Sequence, residues 1–343
     1  MTAALDAAAA DPVAEVEPLL TIEDLSVRFR GVDADVHAVN GVSLELRPGE
    51  VLAILGESGS GKSVTLRSVM RLLPRHAVVS GRVVLDGHDI LSMSERRLTD
   101  LRGPVVSMIF QEPGLALDPI VRIGRQITEM IRRHERVSAA EARERARALF
   151  ERVRIPLPER RLDAFPNELS GGMRQRAMTA LALSARPKVL LADEPTTALD
   201  ATVQIQILLL LRELQETLGM AVIFVTHDVG VAAEIADRVA VMYAGTVVEH
   251  GTAADVLKRG AHPYTVGLMR STVHGAVRGE RLDPIPGAPP ALTSAPDRCM
   301  FAPRCAHAHA PCLDGVPAER DASASHRARC VLVGSGAPAI APA

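Results

Sequence analysis

The sequence predicts an α/β fold organised around a phosphate-binding loop, and three observations carry that prediction. Gly56-Glu57-Ser58-Gly59-Ser60-Gly61-Lys62-Ser63 fits the spacing G-x-x-x-x-G-K-[ST]. Val51 to Leu55, just before it, is a short apolar run of the kind that forms a buried parallel strand. From Val64 through Leu66, Val69, Met70 and Leu73, apolar positions recur at helical spacing. Glycines let the backbone curl until successive N–H groups face phosphate oxygens, and the helix N-terminus adds partial positive charge. Lys62 is then expected to reach the β- and γ-phosphates of a nucleotide, and the Ser63 hydroxyl to bind Mg²⁺.

The 343 residues leave room for more than one domain, and 47% hydrophobic residues support real cores. A net charge of −2, 2% aromatics and no Trp argue against a nucleic-acid partner. No apolar run approaches the roughly 20 residues that span a bilayer. Residues 1–18 are Ala-rich and acidic and lack the basic start and apolar core of a signal peptide. They read as a disordered tail on an intracellular protein.

Leu20, Ile22, Leu25, Val27 and Phe29 mark one strand, and Val42, Leu44 and Leu46 a second. Two antiparallel strands are thus expected ahead of the loop. Phe29 is either a platform for adenine or an ordinary core aromatic, and His37 is a weaker candidate for the same platform. Gly81 to Asp89 reads as a hairpin around Asp86-Gly87. Val105 to Phe110 reads as a strand with Gln111 just past its end, where a polar side chain suits a contact to Mg²⁺ or water. Ile123 to Phe150 is helical, and its arginines are balanced by glutamates, as on a solvated face. Ser170 is a helix N-cap, and Gly171-Gly172 beside it leave N–H groups for a second phosphate contact or simply cap the turn. Val189 to Glu194 is an apolar strand that ends in two carboxylates. Behind a phosphate loop, Asp193 suits the Mg²⁺ site and Glu194 suits the attacking water. Ala221 to Val225 is a further buried strand, with His227 just beyond it, near the expected γ-phosphate.

These segments stand in the order of the ABC-type ATPases. Gly56 to Ser63 resembles Walker A, Gln111 the Q-loop, Leu169 to Met173 the signature, Leu190 to Glu194 Walker B, Ala198 to Asp200 the D-loop and His227 the H-loop. The resemblance implies a P-loop ABC-type ATPase over residues 19–255. Its RecA-like core would carry an N-terminal antiparallel β subdomain and an inserted helical lobe over about 112–185. Gly56, Glu57, Ser58, Gly59, Ser60, Gly61, Lys62, Ser63 and Val64 would bind ATP, with Phe29 at the adenine. Ser63, Gln111 and Asp193 would hold Mg²⁺, and Glu194, His227 and Gln111 would be catalytic. Ser170, Gly171, Gly172 and Asp200 would serve the ATP of a partner subunit.

Leu169-Ser-Gly-Gly-Met-Arg-Gln-Arg176, Gln111-Glu112-Pro113, His262-Pro263-Tyr264-Thr265 and Ile285-Pro-Gly-Ala-Pro-Pro290 look like the D-type ATPase subunit of dipeptide and oligopeptide importers. Met173, where most ABC signatures carry Gln, is usual in that subunit. The resemblance implies head-to-tail pairing with an F-type ATPase paralogue and ATP-driven closure that works two membrane permease subunits. It also implies an extracytoplasmic substrate-binding protein and a place on the cytoplasmic face of the inner or plasma membrane. Nickel, glutathione or oligosaccharide import shares these motifs. A soluble non-transport ABC ATPase or a regulatory, non-hydrolysing module fits less well, because there is one phosphate loop, no long insert, and Glu194 and His227 are intact.

All four cysteines lie near the end: Cys299, Cys305, Cys312 and Cys330. Neither a zinc-type nor a ferredoxin-type C-x₂-C spacing is present. Clustered thiols in an intracellular chain point to a metal or cluster rather than disulfides. The family resemblance, which places them in a C-terminal extension over 256–335, implies a 4Fe–4S cluster. Zn²⁺, with His307, His309 or His326 as further ligands, and free thiols are the alternatives. Residues 336–343 read as a second disordered tail.

Overall fold

The computed structural model describes residues 17–196, 201–271 and 284–334. Residues 1–16 and 335–343, most of both expected tails, and Asp200 with Thr197, Ala198 and Leu199 lie outside the described residues.

Strand β1 (Leu20–Phe29) buries Leu20, Ile22, Leu25 and Val27. Asp24, at φ 48°, takes up a register shift between Ile22 and Leu25, which keeps the later apolar residues on the core face. β2 (Val36–Leu46) pairs with it antiparallel. β3 (Val51–Leu55) is buried at every position and leads through the phosphate loop into α1 (Lys62–Val69). β4 (Ala77–Leu85) and the short β5 (His88–Asp89) form the hairpin, with Asp86 and Gly87 both at positive φ as a two-residue turn requires. The first sheet is antiparallel in the order β2-β1-β4-β5.

After α2 (Glu95–Leu101) and β6 (Val106–Ile109) the chain becomes helical. α3 (Pro113–Ala116), α4 (Ile123–His134), α5 (Ala139–Arg152), α6 (Pro158–Leu162) and α7 (Gly171–Leu183) follow in turn. Ile123, Ile127 and Ile131 of α4 face Ala142, Ala146 and Phe150 of α5 in one core cluster. The charges of α5 pair along its surface, Arg145 with Glu141 at 2.7 Å and Arg147 with Glu144 at 2.5 Å. Such exposed pairs contribute little, so burial of the apolar stripe holds this lobe.

β7 (Val189–Asp193), α8 (Ala201–Leu218), β8 (Ala221–Thr226), α9 (Val229–Ile235), β9 (Arg238–Tyr243) and β10 (Thr246–Thr252) complete the large sheet's main part. α10 (Ala253–Lys258) and α11 (Pro263–Arg270) follow, and β11 (Arg320–Ser323) and β12 (His326–Ala328) close the described chain. The order is β11-β12-β10-β9-β3-β8-β7-β6. β9, β3, β8, β7 and β6 are parallel, whereas β10, β12 and β11 join antiparallel. Because β12 pairs with β10, the C-terminal region is continuous with the large sheet.

Phe150 is fully buried between α4, α5 and α7. Phe150→Ala is expected to destabilise the protein by about 3–5 kcal/mol through lost burial and a cavity, read as a lowered urea midpoint.

Candidate active site

β3, β8, β7 and β6 are neighbours and run the same way, so their carboxyl ends share one edge. Gly56, His227, Glu194 and Gln111 stand at or just past those four ends. Ligands of open parallel sheets bind outside this edge. Spacing in the sequence places each residue at a strand end, and the strand order brings the ends together.

The phosphate loop folds back on the sheet closely enough that two of its glycines are obligatory. A Cβ on Gly56, at φ 154°, would lie 2.3 Å from the Met242 carbonyl oxygen, and one on Gly61, at φ 100°, 2.4 Å from that of Ala38. The loop closes on its own lysine. Lys62 Nζ donates to the carbonyl oxygens of Gly56 and Glu57, both at 2.8 Å, and reaches Ser60 Oγ at 3.4 Å. Burial pushes the Lys62 ammonium below its ordinary pKa, while Glu194, Asp193 and Glu57 act to hold its proton.

Ser63 Oγ donates to Asp193 Oδ1 at 2.6 Å. Asp193 is fully buried, and its Oδ2 accepts no hydrogen bond, with the Arg67 guanidinium 3.8 Å away. Burial raises its pKa. A buried carboxylate oxygen without a donor, beside a serine hydroxyl, is the donor chemistry that Mg²⁺ takes. Glu194 lies one residue past β7 at φ 45°, a left-handed backbone uncommon outside glycine. Its Oε2 accepts from Gln111 Nε2 at 3.3 Å and lies 3.3 Å from His227 Nδ1. The left-handed turn at Glu194 has no signal in the sequence.

Glu57 is committed outside the loop. Its N–H donates to Tyr264 Oη at 2.9 Å, and Arg304 holds its carboxylate. Nothing in the spacing of the sequence points to either partner. Phe29 is half-buried with its ring 5.8 Å from that of His76, and the His37 N–H donates to the Leu292 carbonyl at 2.9 Å. Ser170 caps α7 by accepting from the Met173 N–H at 3.3 Å, Gly171 is open to solvent, and a Cβ on Gly172 would press Val203 at 3.0 Å.

Cys299, Cys305, Cys312 and Cys330 are free thiols that line one small cavity, with His262 and Pro317 in its wall. Burial raises the pKa of Cys299 and Cys305 and pushes that of Cys330 up to about 11. Among the described residues, no group of three or more His, Cys, Asp or Glu is arranged to hold a metal ion. The four thiols line one cavity, but nothing in their arrangement supports the expected 4Fe–4S cluster. Convergence requires only that the short turns pack together, whereas ligation also needs the thiol protons displaced. No helix among the described residues is long and apolar enough to cross a membrane.

Two family models match: ABC transporter over residues 39–197, and the C-terminal region of oligopeptide/dipeptide transporters over 248–312. The oligopeptide transport ATP-binding protein OppD of Bacillus subtilis (strain 168) is 44% identical over 330 residues, covering 95% of this chain and 92% of its own. The probable D,D-dipeptide transport ATP-binding protein DdpD of Escherichia coli (strain K12) is 48% identical over 304 residues, covering 88% of this chain and 92% of its own. Among solved structures, the ATP-binding cassette MJ0796, dimeric in a post-hydrolysis state with ADP and Pi, superposes with a TM-score of 0.62. It has 30% sequence identity and covers 68% of this chain and 98% of its own.

The Glu194 hydrogen bond raises the pKa of His227 against the opposing effect of burial. The imidazolium–carboxylate contact therefore adds stability that is fully present below pH about 6.5 and is lost as pH rises through the raised value. An NMR titration of His227 is expected to show a midpoint above about 6.5 that falls in Glu194→Gln.

Proposed function

This chain belongs to the ABC transporter ATP-binding proteins and carries the C-terminal region of oligopeptide and dipeptide transporters, and we propose that it powers peptide import through a membrane permease. It is an ATPase of that family and binds ATP. The peptide cargo is supported by what its relatives are named for.

One observation carries the catalytic reading: Gln111, Glu194 and His227 meet at the strand edge that also holds Lys62, Ser63 and Asp193. Phosphates of ATP lie against the N–H groups of the loop and the Lys62 ammonium. Gly56 to Val64 supply that cradle, and Phe29 borders the adenine. Ser63, Asp193 and Gln111 would hold Mg²⁺, which would supply positive charge to offset that of the phosphates. Glu194 orients the attacking water and receives its proton in a site where burial strengthens each charge. His227 donates to Glu194 and Gln111 steadies it, which keeps the carboxylate aimed at the water.

Ser170, Gly171, Gly172 and Asp200 serve the ATP held by a second subunit, an F-type paralogue, in a head-to-tail pair. The dimeric state of the MJ0796 cassette supports such pairing. Closing on ATP and opening after hydrolysis works two permease subunits at the cytoplasmic face of the inner or plasma membrane, and a separate extracytoplasmic protein delivers the substrate. The ATPase body spans 19–255 and the extension 256–335. Cys299, Cys305, Cys312 and Cys330 form the ligand set of a structural 4Fe–4S cluster. Their shared cavity and soft donor chemistry support a metal centre there, and Zn²⁺ is the alternative occupant.

Glu194→Gln is expected to keep ATP affinity within about twofold while slowing turnover by at least about 100-fold in the assembled transporter, with the partner site silenced. Unchanged turnover would remove Glu194 from the chemistry. Peptide uptake into proteoliposomes that contain the permeases and binding protein tests the cargo. Anaerobically purified protein is expected to contain iron and sulfide in equal amounts and to lose both in Cys305→Ser. Stoichiometric zinc, or no metal, would refute the cluster.

A further inference from the structure

A single residue of the phosphate loop, Glu57, is gripped from three directions. Its carbonyl oxygen accepts from Lys62 Nζ at 2.8 Å. The other two grips come from far along the chain. Tyr264 Oη accepts from its N–H at 2.9 Å. Arg304 forks onto its carboxylate, Nη1 to Oε2 at 2.7 Å and Nη2 to Oε1 at 3.0 Å. The arginine is itself locked: Nε donates to the Pro286 carbonyl at 2.7 Å and Nη1 to Tyr243 Oη at 3.3 Å. Its side chain is only 5% exposed.

The wall behind this pair is aromatic. Tyr243, Tyr264 and Phe301 pack ring to ring at centroid distances of 4.6, 5.3 and 5.4 Å. Arg304 lies over Tyr243 at 5.7 Å and Phe301 at 6.0 Å. Both tyrosines of a chain with only two are spent here. Two short arms, Tyr264 on α11 and Arg304 beside Cys305, thus join the C-terminal region to the loop that surrounds Lys62.

We infer that Arg304 is a positioning residue for nucleotide binding, acting through Glu57 on the shape and charge of the phosphate loop. The inference rests on the reading that this loop holds the phosphates of ATP. A bidentate arginine–carboxylate pair fixes orientation as well as charge. With Arg304 in place, the Glu57 carboxylate is paired with a guanidinium that lies over Tyr243 and Phe301. Without it, the carboxylate of the same residue whose carbonyl holds Lys62 is free to compete with phosphate for the ammonium, and one grip on the loop is lost. The effect falls on nucleotide affinity, because the groups at the hydrolysed bond, Glu194 and His227, do not touch the pair.

The test is a double-mutant cycle on the full chain, reading dissociation constants for a fluorescent Mg·ATP analogue beside thermal midpoints. Lys62→Ala is expected to abolish binding. If it binds as wild type, the loop reading fails and the inference with it. Arg304→Gln is expected to weaken binding about tenfold, and Arg304→Lys, which keeps the charge but not the fork, about threefold. In a Glu57→Gln background, Arg304→Gln is expected to change affinity by less than about twofold, since no carboxylate remains to be freed. Wild-type affinity in Arg304→Gln, an equal loss with and without Glu57, or a lowered midpoint with unchanged affinity would each overturn the inference. Should Arg304→Gln not fold, the cycle runs on Arg304→Lys with the same expected coupling to Glu57.

Discussion

The buried ammonium of Lys62 is the charge around which the site is assembled. It donates to two carbonyl oxygens of its own loop, and the carboxylates of Glu194, Asp193 and Glu57 lie close enough to favour its proton. A charge at this depth is tolerated only when partners surround it. Those partners come from three places: the loop, the end of β7 and the turn after it. Their convergence is a property of the strand order. The glycines at 56 and 61 follow from the same constraint, since the loop must lie against the carbonyls of Met242 and Ala38 to keep the lysine enclosed.

One strained position lies where chemistry would need it. Glu194 adopts a left-handed backbone directly after a fully buried strand. Such a conformation costs about 1–2 kcal/mol for a non-glycine residue. The anchors are the Glu194 N–H bond to the Val225 carbonyl and the side-chain contacts to Gln111 and His227. After the turn the Glu194 carboxylate meets Gln111 and His227, while Asp193, still inside the strand, stays against Ser63. Two adjacent carboxylates thereby occupy different environments. One is dry and bound to a serine, and the other is shared between an amide and an imidazole.

Among the described residues, the C-terminal region has only a small apolar cluster of its own, Ala328, Cys330 and Val333. It gains its place by adding β12 to the large sheet and by setting Phe301 against the two tyrosines. A second anchor is Glu249, fully buried, whose carboxylate accepts from the N–H groups of Ala261 and His262 and lies 2.6 Å from His326 Nε2. Buried charge in that position fixes which turn faces which strand. The thiols of Cys299, Cys305, Cys312 and Cys330 are gathered by this packing into one cavity next to Arg304.

Much of the molecule was legible in the chain because its signals are local. The run Val51 to Leu55, the loop glycines, the Asp86-Gly87 turn and the Ser170 cap each depend on neighbours a few residues away, and each appears where its pattern places it. Local chemistry alone also determined the types of group at the strand ends: Gln111, Asp193, Glu194 and His227. Which of these touch was decided by the tertiary structure, since parallel pairing across β6, β7 and β8 sets their spacing. Least legible were the contacts of Glu57, 207 residues from Tyr264 and 247 from Arg304. A charge pair at that separation leaves no periodicity to read. It exists because an antiparallel strand and an aromatic cluster carry the end of the chain back to the loop near its beginning.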